Sequence, residues 1–135
     1  MIQKIVDGIS EALYQEFGEE YAIYTEGVQQ GLEKPCFFIT PQTPRSDLFL
    51  GKRYFRRNPF QIQFVPQEDE ADYSALERLF ICLEVIEVAG EWARGTKMNY
   101  EETDEGTTFY VSYDMFLYRM DGVEKMQDYR VEMRS

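Results

Sequence analysis

The sequence predicts an α+β protein in which two helices pack on a mainly antiparallel sheet. Two stretches have the apolar spacing of amphipathic helices, and several short runs alternate apolar and polar residues as strands do. The chain has 135 residues, of which 44% are hydrophobic, and this suits one domain with one core. We therefore predict a single domain over residues 1–135 with the element order α-β-β-β-β-α-β-β-β.

Two helices are predicted from apolar residues that recur at steps of three and four. The first covers about residues 1–17 and is followed by Gly18. The second covers about residues 70–88, where an acidic stretch precedes the apolar pattern and complements the positive end of a helix dipole. Gly90 is predicted to end this second helix.

Strands are predicted wherever aromatic and β-branched residues cluster between turn residues. After Pro41 and Pro44, two arms resemble a hairpin, and the second arm alternates apolar with glutamine residues. The strongest hairpin pattern lies late in the chain, and the tail restarts an alternation typical of an edge strand. The predicted strands are 21–25, 36–40, 46–56, 59–65, 92–102, 106–119 and a tail strand from 129.

The composition removes the usual routes to catalysis. The chain has no histidine, and it lacks a Gly-rich phosphate loop, a nucleophile elbow and paired-cysteine metal spacing. A cluster of acids stands at the predicted tip of the late hairpin: Glu101, Glu102, Asp104 and Glu105. An acid–base pair or a calcium site is conceivable there, but solvated charge is the usual role of such a tip. We predict no catalytic, cofactor or metal residues.

Location and redox state follow from equally simple features. No apolar run approaches the ~20 residues that cross a bilayer, and the first residues lack a signal-peptide pattern, so a cytoplasmic protein without membrane contact is expected. Cys36 and Cys82 stand far apart in apolar surroundings, which favours buried free thiols over a disulfide.

Charge is unevenly distributed along the chain. Residues 45–57 carry five basic residues against Asp47, a local charge of +4, which leaves −15 for the rest of a chain whose net charge is −11. Opposed patches of this kind can orient identical subunits, so the basic residues are our candidate interface: Arg45, Lys52, Arg53, Arg56 and Arg57. Two alternatives remain, namely ion pairs inside the monomer and nucleic-acid contact with stacking by Tyr54, Phe55 and Phe60.

Aromatic residues offer a second candidate surface. Aromatic side chains are favoured anchors at subunit interfaces, although core packing explains them equally well. The residues concerned are Trp92, Tyr100, Tyr110, Tyr113 and Tyr118.

Three segments, 26–39, 52–66 and 121–127, carry motifs that together span most of the chain. Their residues are Gln30-Gly31-Leu32, Pro35, Phe37-Phe38-Ile39, Tyr54, Arg56-Arg57, Pro59-Phe60, Ile62, Pro66 and the DGVEKMQ run at 121–127. Together these motifs resemble the tail terminator family of tailed phages and prophages.

The resemblance implies a structural subunit that closes into a ring, typically a hexamer, on the finished end of the tail tube. Its implied partners are other copies of itself, the tail tube protein and a head-completion or neck protein, with assembly in the host cytoplasm and a final place in the virion tail. DNA would pass through the ring without specific binding, and an acidic lumen would repel it. The alternatives are a head–tail connector or stopper, a small-ligand binding domain with an aromatic pocket, and a hydrolase with a carboxylate pair.

Overall fold

A computed structural model of the chain describes residues 1–25, 33, 35–67, 73–103, 106–119 and 129–133. The elements occur in the order of one helix, five strands, a second helix and five more strands. Their bounds are α1 Ile2–Phe17, β1 Ala22–Tyr24, β2 Cys36–Pro41, β3 Arg45–Leu50, β4 Arg53–Arg57, β5 Pro59–Val65, α2 Tyr73–Cys82, β6 Val85–Val88, β7 Glu91–Thr103, β8 Gly106–Tyr113, β9 Met115–Arg119 and β10 Tyr129–Met133. The α+β class is confirmed.

Helix α1 forms where the sequence predicts it, because one face of the helix is apolar. Ile5, Ile9 and Leu13 are completely buried, and the helix ends at Gly18, whose φ is 78°. Burying a side chain of this size stabilises the fold by about 1.5–3 kcal/mol. The helix packs mainly on β6, and also on α2 and β2.

The larger sheet has six strands in the order β1-β2-β5-β8-β7-β6, all antiparallel except the pair β1 and β2. Its strands alternate buried and more exposed residues, as in β5, where Phe60, Ile62 and Phe64 are buried. Opposite them on β8, Val111 and Phe109 are buried on the same face. The core therefore lies between this face and the two helices.

A smaller sheet of four antiparallel strands has the order β10-β9-β4-β3. Two arms of chain pass from one sheet to the other, β4 into β5 at Asn58 and β8 into β9 at Asp114. Asn58, which is 1% exposed, joins the two arms at the crossing: its side-chain Nδ2 donates to the main-chain carbonyl oxygen of Tyr113 at 3.0 Å, and its main-chain carbonyl oxygen accepts from the Tyr113 N–H at 2.9 Å. These two hydrogen bonds tie the two arms together where they pass between the sheets.

The predicted extent of the second helix was wrong at its C-terminal end. Residues 85–88 form β6 and pair with β7, with Ile86 opposite Ala93. The sequence Val85-Ile86-Glu87-Val88 alternates exposed and buried positions, which is the strand period. The apolar residues up to Ile86 also fit the spacing of a helix. Residues 85–88 form a strand because they pair with β7.

Two long predicted arms are each divided in two. The arm 46–56 is itself a hairpin, β3 and β4, which turns at Gly51 and Lys52, and β5 pairs with β2 and β8 and not with this arm. The arm 106–119 bends at Asp114. The predicted tail strand is confirmed as β10, which lies at one edge of the smaller sheet.

Some predictions concern residues outside the described part of the chain. These are the acidic start of the second helix at 68–72, the tip residues Asp104 and Glu105, and the motifs at 26–32 and 121–127. Among the described residues, no helix is long and apolar enough to cross a membrane.

Candidate subunit interface

The five basic candidates all lie on the β3–β4 hairpin, but they do not form one patch. Arg45 and Arg57 are paired across the two strands at the base of the hairpin, and both side chains are exposed. Because successive strand residues point to opposite faces, Arg56 faces the other side from Arg57. Lys52 lies in the turn at the tip. The single basic segment of the sequence is therefore divided between two faces of the smaller sheet.

Arg53 and Arg57 lie among aromatic rings on the outer face of the smaller sheet. The Arg53 guanidinium carbon is 4.2 Å from the centre of the Phe116 ring and 5.5 Å from that of Tyr118. The Arg57 guanidinium carbon is 5.7 Å from the Phe55 ring, and the Phe55 and Phe116 rings are 5.1 Å apart. Arginine over an aromatic face is an attractive arrangement, and both residue types are frequent at binding hot spots.

Arg56 lies on the opposite face, near the start of α1. The pKa of the Met1 amino group is lowered, first by burial and then by the positive charges of Lys4 and Arg56. Arg56 is also only partly exposed. A partner that meets the outer face of the smaller sheet would therefore not contact Arg56 in the same way as Arg57.

The tip of the same hairpin exposes three consecutive apolar side chains. Leu48, Phe49 and Leu50 are 63%, 59% and 72% exposed, although Phe49 touches the Phe116 ring at a centroid distance of 5.2 Å. Strand β3 is also an edge of the smaller sheet. Three large apolar residues in a row at a surface are typical of a contact site. The signal for this tip in the sequence is the run Leu-Phe-Leu directly before Gly51.

A cavity of about 370 Å³ opens beside the base of the hairpin. The residues that line it include Arg45, Arg57, Lys97, Asn99, Pro59, Phe60, Tyr110, Val111 and Ser112. Among the residues that the structure describes, no carboxylate lines it. Within the described part of the chain, neither Arg45 nor Arg57 forms an ion pair. We call this cavity the basic groove.

The geometry of Lys97 results from an irregularity in β7. The pairing of β7 with β8 shifts register between Thr96 and Asn99, and Lys97 has a φ of 54°. Non-glycine residues adopt such a φ at a cost of about 1–2 kcal/mol. The carbonyl oxygen of Lys97 accepts a hydrogen bond from Asn99 Nδ2 at 3.0 Å. This bulge brings a third cation to the groove, and residue spacing gave no indication of it.

Of the four acids considered for catalysis or metal binding, the structure describes Glu101 and Glu102, and Tyr110, which hydrogen-bonds to Glu101, is among the residues that line the basic groove. Glu101 and Glu102 are exposed near the end of β7, and Glu101 accepts a hydrogen bond from the Tyr110 hydroxyl at 2.6 Å. This carboxylate raises the pKa of Tyr110. Among the described residues, no three His, Cys, Asp or Glu side chains are grouped as metal ligands.

The aromatic candidates do not make one surface. Tyr113 is completely buried in the core, whereas Trp92 is 64% exposed on β7 next to the edge strand β6. Tyr100 contacts Phe80, and Tyr118 lies beside Arg53 on the smaller sheet. These residues serve separate parts of the fold.

The two cysteines are free, as predicted. Cys36 is completely buried in β2, and Cys82 is partly buried at the end of α2. Burial raises the pKa of the Cys82 thiol to about 12. A thiol that stays protonated is a poor nucleophile and a poor metal ligand.

Comparison with known proteins gives a single clear result. Residues 4–125 match a family model described as phage tail terminator protein. The match includes all of the β3–β4 hairpin and the basic groove. No curated protein matches the chain.

Proposed function

Because the chain belongs to the phage tail terminator protein family, we propose that it caps the tail tube as a ring of identical subunits joined through the β3–β4 hairpin. The family is one of structural proteins of the virion tail. In this proposal residues 1–135 act as one domain, assembly takes place in the host cytoplasm, and the ring is typically a hexamer. One of its faces contacts the tail tube protein, and the other contacts a head-completion or neck protein.

The observation that carries the hairpin contact is the exposure of Leu48, Phe49 and Leu50 at its tip. Burying one large apolar side chain contributes about 1.5–3 kcal/mol. Burying all three in a contact with another molecule would therefore contribute strongly to the free energy of association. A hairpin tip is also narrow enough to enter a depression on a neighbouring molecule. The tip therefore suits insertion into another subunit better than it suits exposure to water.

Charge supports a head-to-tail arrangement of the subunits. A ring built by rotation uses two different patches on each subunit, so each patch must complement the other and not itself. The segment 45–57 carries +4, and the remaining residues carry −15. Contact between the basic hairpin of one subunit and an acidic surface of the next is therefore attractive, and it fixes the order of the subunits.

The same excess of negative charge suits the passage of DNA. A ring whose inner wall is acidic repels the phosphates of DNA and leaves the duplex free to slide. The outer face of the smaller sheet, with its arginines and aromatic rings, would by contrast attract nucleic acid if it lined the lumen. The proposal therefore places that face toward protein partners.

The proposal can be tested with purified tail tubes and two double variants of this chain. Leu48→Ser with Leu50→Ser makes the tip polar, and Ile81→Ser with Val85→Ser is the matched control, because Ile81 and Val85 are also exposed, at 71% and 40%. Negative-stain electron microscopy counts the tube ends that carry a ring. We expect the control to cap tubes as the wild type does, and the tip variant to lose most of its caps with its circular dichroism unchanged. Normal capping by the tip variant would refute the hairpin contact.

A head–tail connector or stopper is the alternative assembly role, and a deletion phenotype distinguishes it. Loss of a terminator leaves the tube free to grow, so overlong tubes are expected. Loss of a connector leaves tails of normal length that do not join heads. Tails of normal length in a deletion strain would favour the connector.

A further inference from the structure

The basic groove gathers positive charge that the described part of the subunit does not neutralise. Arg45, Arg57 and Lys97 all line one cavity of about 370 Å³. Among the described residues, none of the three forms an ion pair with a carboxylate. Glu101 lies nearby, but it accepts a hydrogen bond from the Tyr110 hydroxyl at 2.6 Å and pairs with none of these cations. Like charges around one cavity repel one another, so an anionic partner in the groove would be stabilising.

The groove lies on the face of the larger sheet that is turned away from the helices. On β8, Phe109 and Tyr113 are completely buried in the core, which lies on the helix side of the sheet. Tyr110 and Ser112 alternate with them along the strand, so their side chains point to the opposite face, and both line the groove. The solvent-exposed side of α1 and the groove are therefore on opposite sides of the subunit.

The exposed side of α1 carries an acidic surface toward its C-terminal end. Glu11, Glu19 and Glu20 are exposed, and within the part of the chain that the structure describes they form no ion pair. The Tyr14 hydroxyl donates to Glu19 Oε1 at 3.1 Å, and Tyr14 is 44% exposed. The pKa of Tyr14 is raised, first by this hydrogen bond and with a smaller contribution from the negative charge of Glu11. We call Glu11, Tyr14, Glu19 and Glu20 the acidic end of α1.

These acids add to the negative charge that the helix itself presents at this end. The C-terminal end of a helix carries a partial negative charge, which basic residues in the last turn usually complement. The last turn of α1 has no basic residue. Arg78 of α2 neutralises Glu16, whose carboxylate lies 3.0 Å from Arg78 Nε, but Glu11, Glu19 and Glu20 stay uncompensated among the described residues. Cations from a partner would stabilise this surface.

We propose that the acidic end of α1 of one subunit docks in the basic groove of a second copy of this chain. Three carboxylates meet three cations, and Tyr14 offers an aromatic face to an arginine. The two sets of charges span similar distances. Glu11 and Glu19 are about 12 Å apart at the rise of a helix. Strand β7, which carries Lys97, lies two strands from β5, into which Arg57 leads, and this is about 10 Å across the sheet.

This inference rests on the proposed ring and names the acidic surface that the basic hairpin meets. Because the groove and the acidic end of α1 lie on opposite sides of the subunit, neither can fill the other within one molecule. Contacts of this kind therefore propagate head to tail from copy to copy. Added salt should weaken them by screening.

A reciprocal charge reversal tests the inference. Arg57→Glu with Lys97→Glu changes the charge of the groove from +3 to −1, and Glu11→Lys with Glu19→Lys changes the charge of the acidic end from −3 to +1. Each of these variants brings like charges together at the contact, whereas a chain with all four changes restores opposite charges. All four side chains are exposed, so the fold should tolerate the changes, which circular dichroism checks.

Two matched controls reverse exposed charges elsewhere. Arg94→Glu lies on β7, like Lys97, but outside the groove lining, and Glu77→Lys lies on α2, outside the acidic end of α1. If a reversal disturbs the fold, Lys97→Gln and Glu11→Gln replace it. These variants only remove a charge, and we expect a smaller effect in the same direction from them.

The measurement is the protein concentration at which half of the tube ends carry a ring. We expect reversal of the groove or of the acidic end to raise it on the order of tenfold or more, the fourfold variant to need less protein than either reversal alone, and both controls to leave it unchanged. If the reversals cap normally, or the fourfold variant is no better than either of them, the docking inference is wrong while the proposed function stands. If wild-type protein forms no caps at all, the proposed function fails and this inference fails with it.

Discussion

The hydroxyl of Tyr113 links the larger sheet to the end of helix α2, and its removal should destabilise the protein. The hydroxyl donates to the Leu83 carbonyl oxygen at 2.6 Å, and both residues are completely buried. In Tyr113→Phe the ring still packs near Phe60, at a centroid distance of 6.3 Å in the wild type, but the carbonyl oxygen loses its donor. Leaving a buried acceptor unpaired costs about 1–3 kcal/mol, and we expect the free energy of unfolding to fall by this amount.

Urea unfolding followed by circular dichroism measures this loss, and Tyr110→Phe is the matched control. Tyr110 lies on the same strand, but its hydroxyl bonds to the exposed Glu101, so the control should unfold like the wild type. The dependence of free energy on urea should be the same in all three proteins, because the surface exposed on unfolding does not change. If Tyr113→Phe unfolds like the wild type, or Tyr110→Phe loses as much, the buried hydrogen bond does not have the role assigned to it.

The same residue gives the stability a dependence on alkaline pH. Burial raises the pKa of Tyr113 well above its ordinary value of 10.0, so the folded protein keeps this proton where the unfolded chain releases it. The buried Tyr113 hydroxyl therefore contributes fully to the free energy of unfolding below pH 10, and this contribution is lost as the pH rises above 10. The difference in stability between the wild type and Tyr113→Phe should shrink over that range, and a constant difference would contradict the assigned burial.

Two further changes test the packing of the helices. Gly8→Ala should lower the temperature of thermal unfolding, because the added methyl would lie 2.5 Å from the Glu87 carbonyl oxygen. This clash should outweigh the helix preference of alanine, which is about 1 kcal/mol better than that of glycine. A more stable variant would show that α1 does not approach β6 so closely. Burial raises the pKa of Cys82 from 9.0 to about 12, so at pH 8 its thiolate is roughly a thousandfold scarcer than in an ordinary thiol. Iodoacetamide should therefore label Cys82 only after unfolding, as mass spectrometry can show, and rapid labelling of the native protein would contradict this burial.

The sequence predicted those elements whose periodicity allowed one interpretation. In β5, Phe60, Ile62 and Phe64 alternate with polar residues, and the structure has this strand at the predicted bounds. Around Ile86 the apolar residues fitted both a helix continuing from α2 and a strand. Pairing with Ala93 on β7 decided between them, and this contact between distant residues is not visible in local spacing.

The candidate site was predicted in its charge but not in its geometry. The sequence identified Arg56 and Arg57 together, but the register of β4 places them on opposite faces, so one joint reversal of both would mix two different effects. The basic groove depended on Lys97, which comes from a strand far along the chain and reaches the cavity through a bulge. Neither the pairing of strands nor the bulge follows from composition.

The activity that we propose for this protein is to stop the growth of a tail tube at its end. The most direct measurement is the length distribution of tubes, by electron microscopy, when the cognate tube protein polymerises with increasing amounts of this chain. We expect the tubes to stop growing once their ends carry rings, so their mean length should fall as the amount of this protein rises. Tubes that grow to the same length at every concentration, with bare ends, would contradict it.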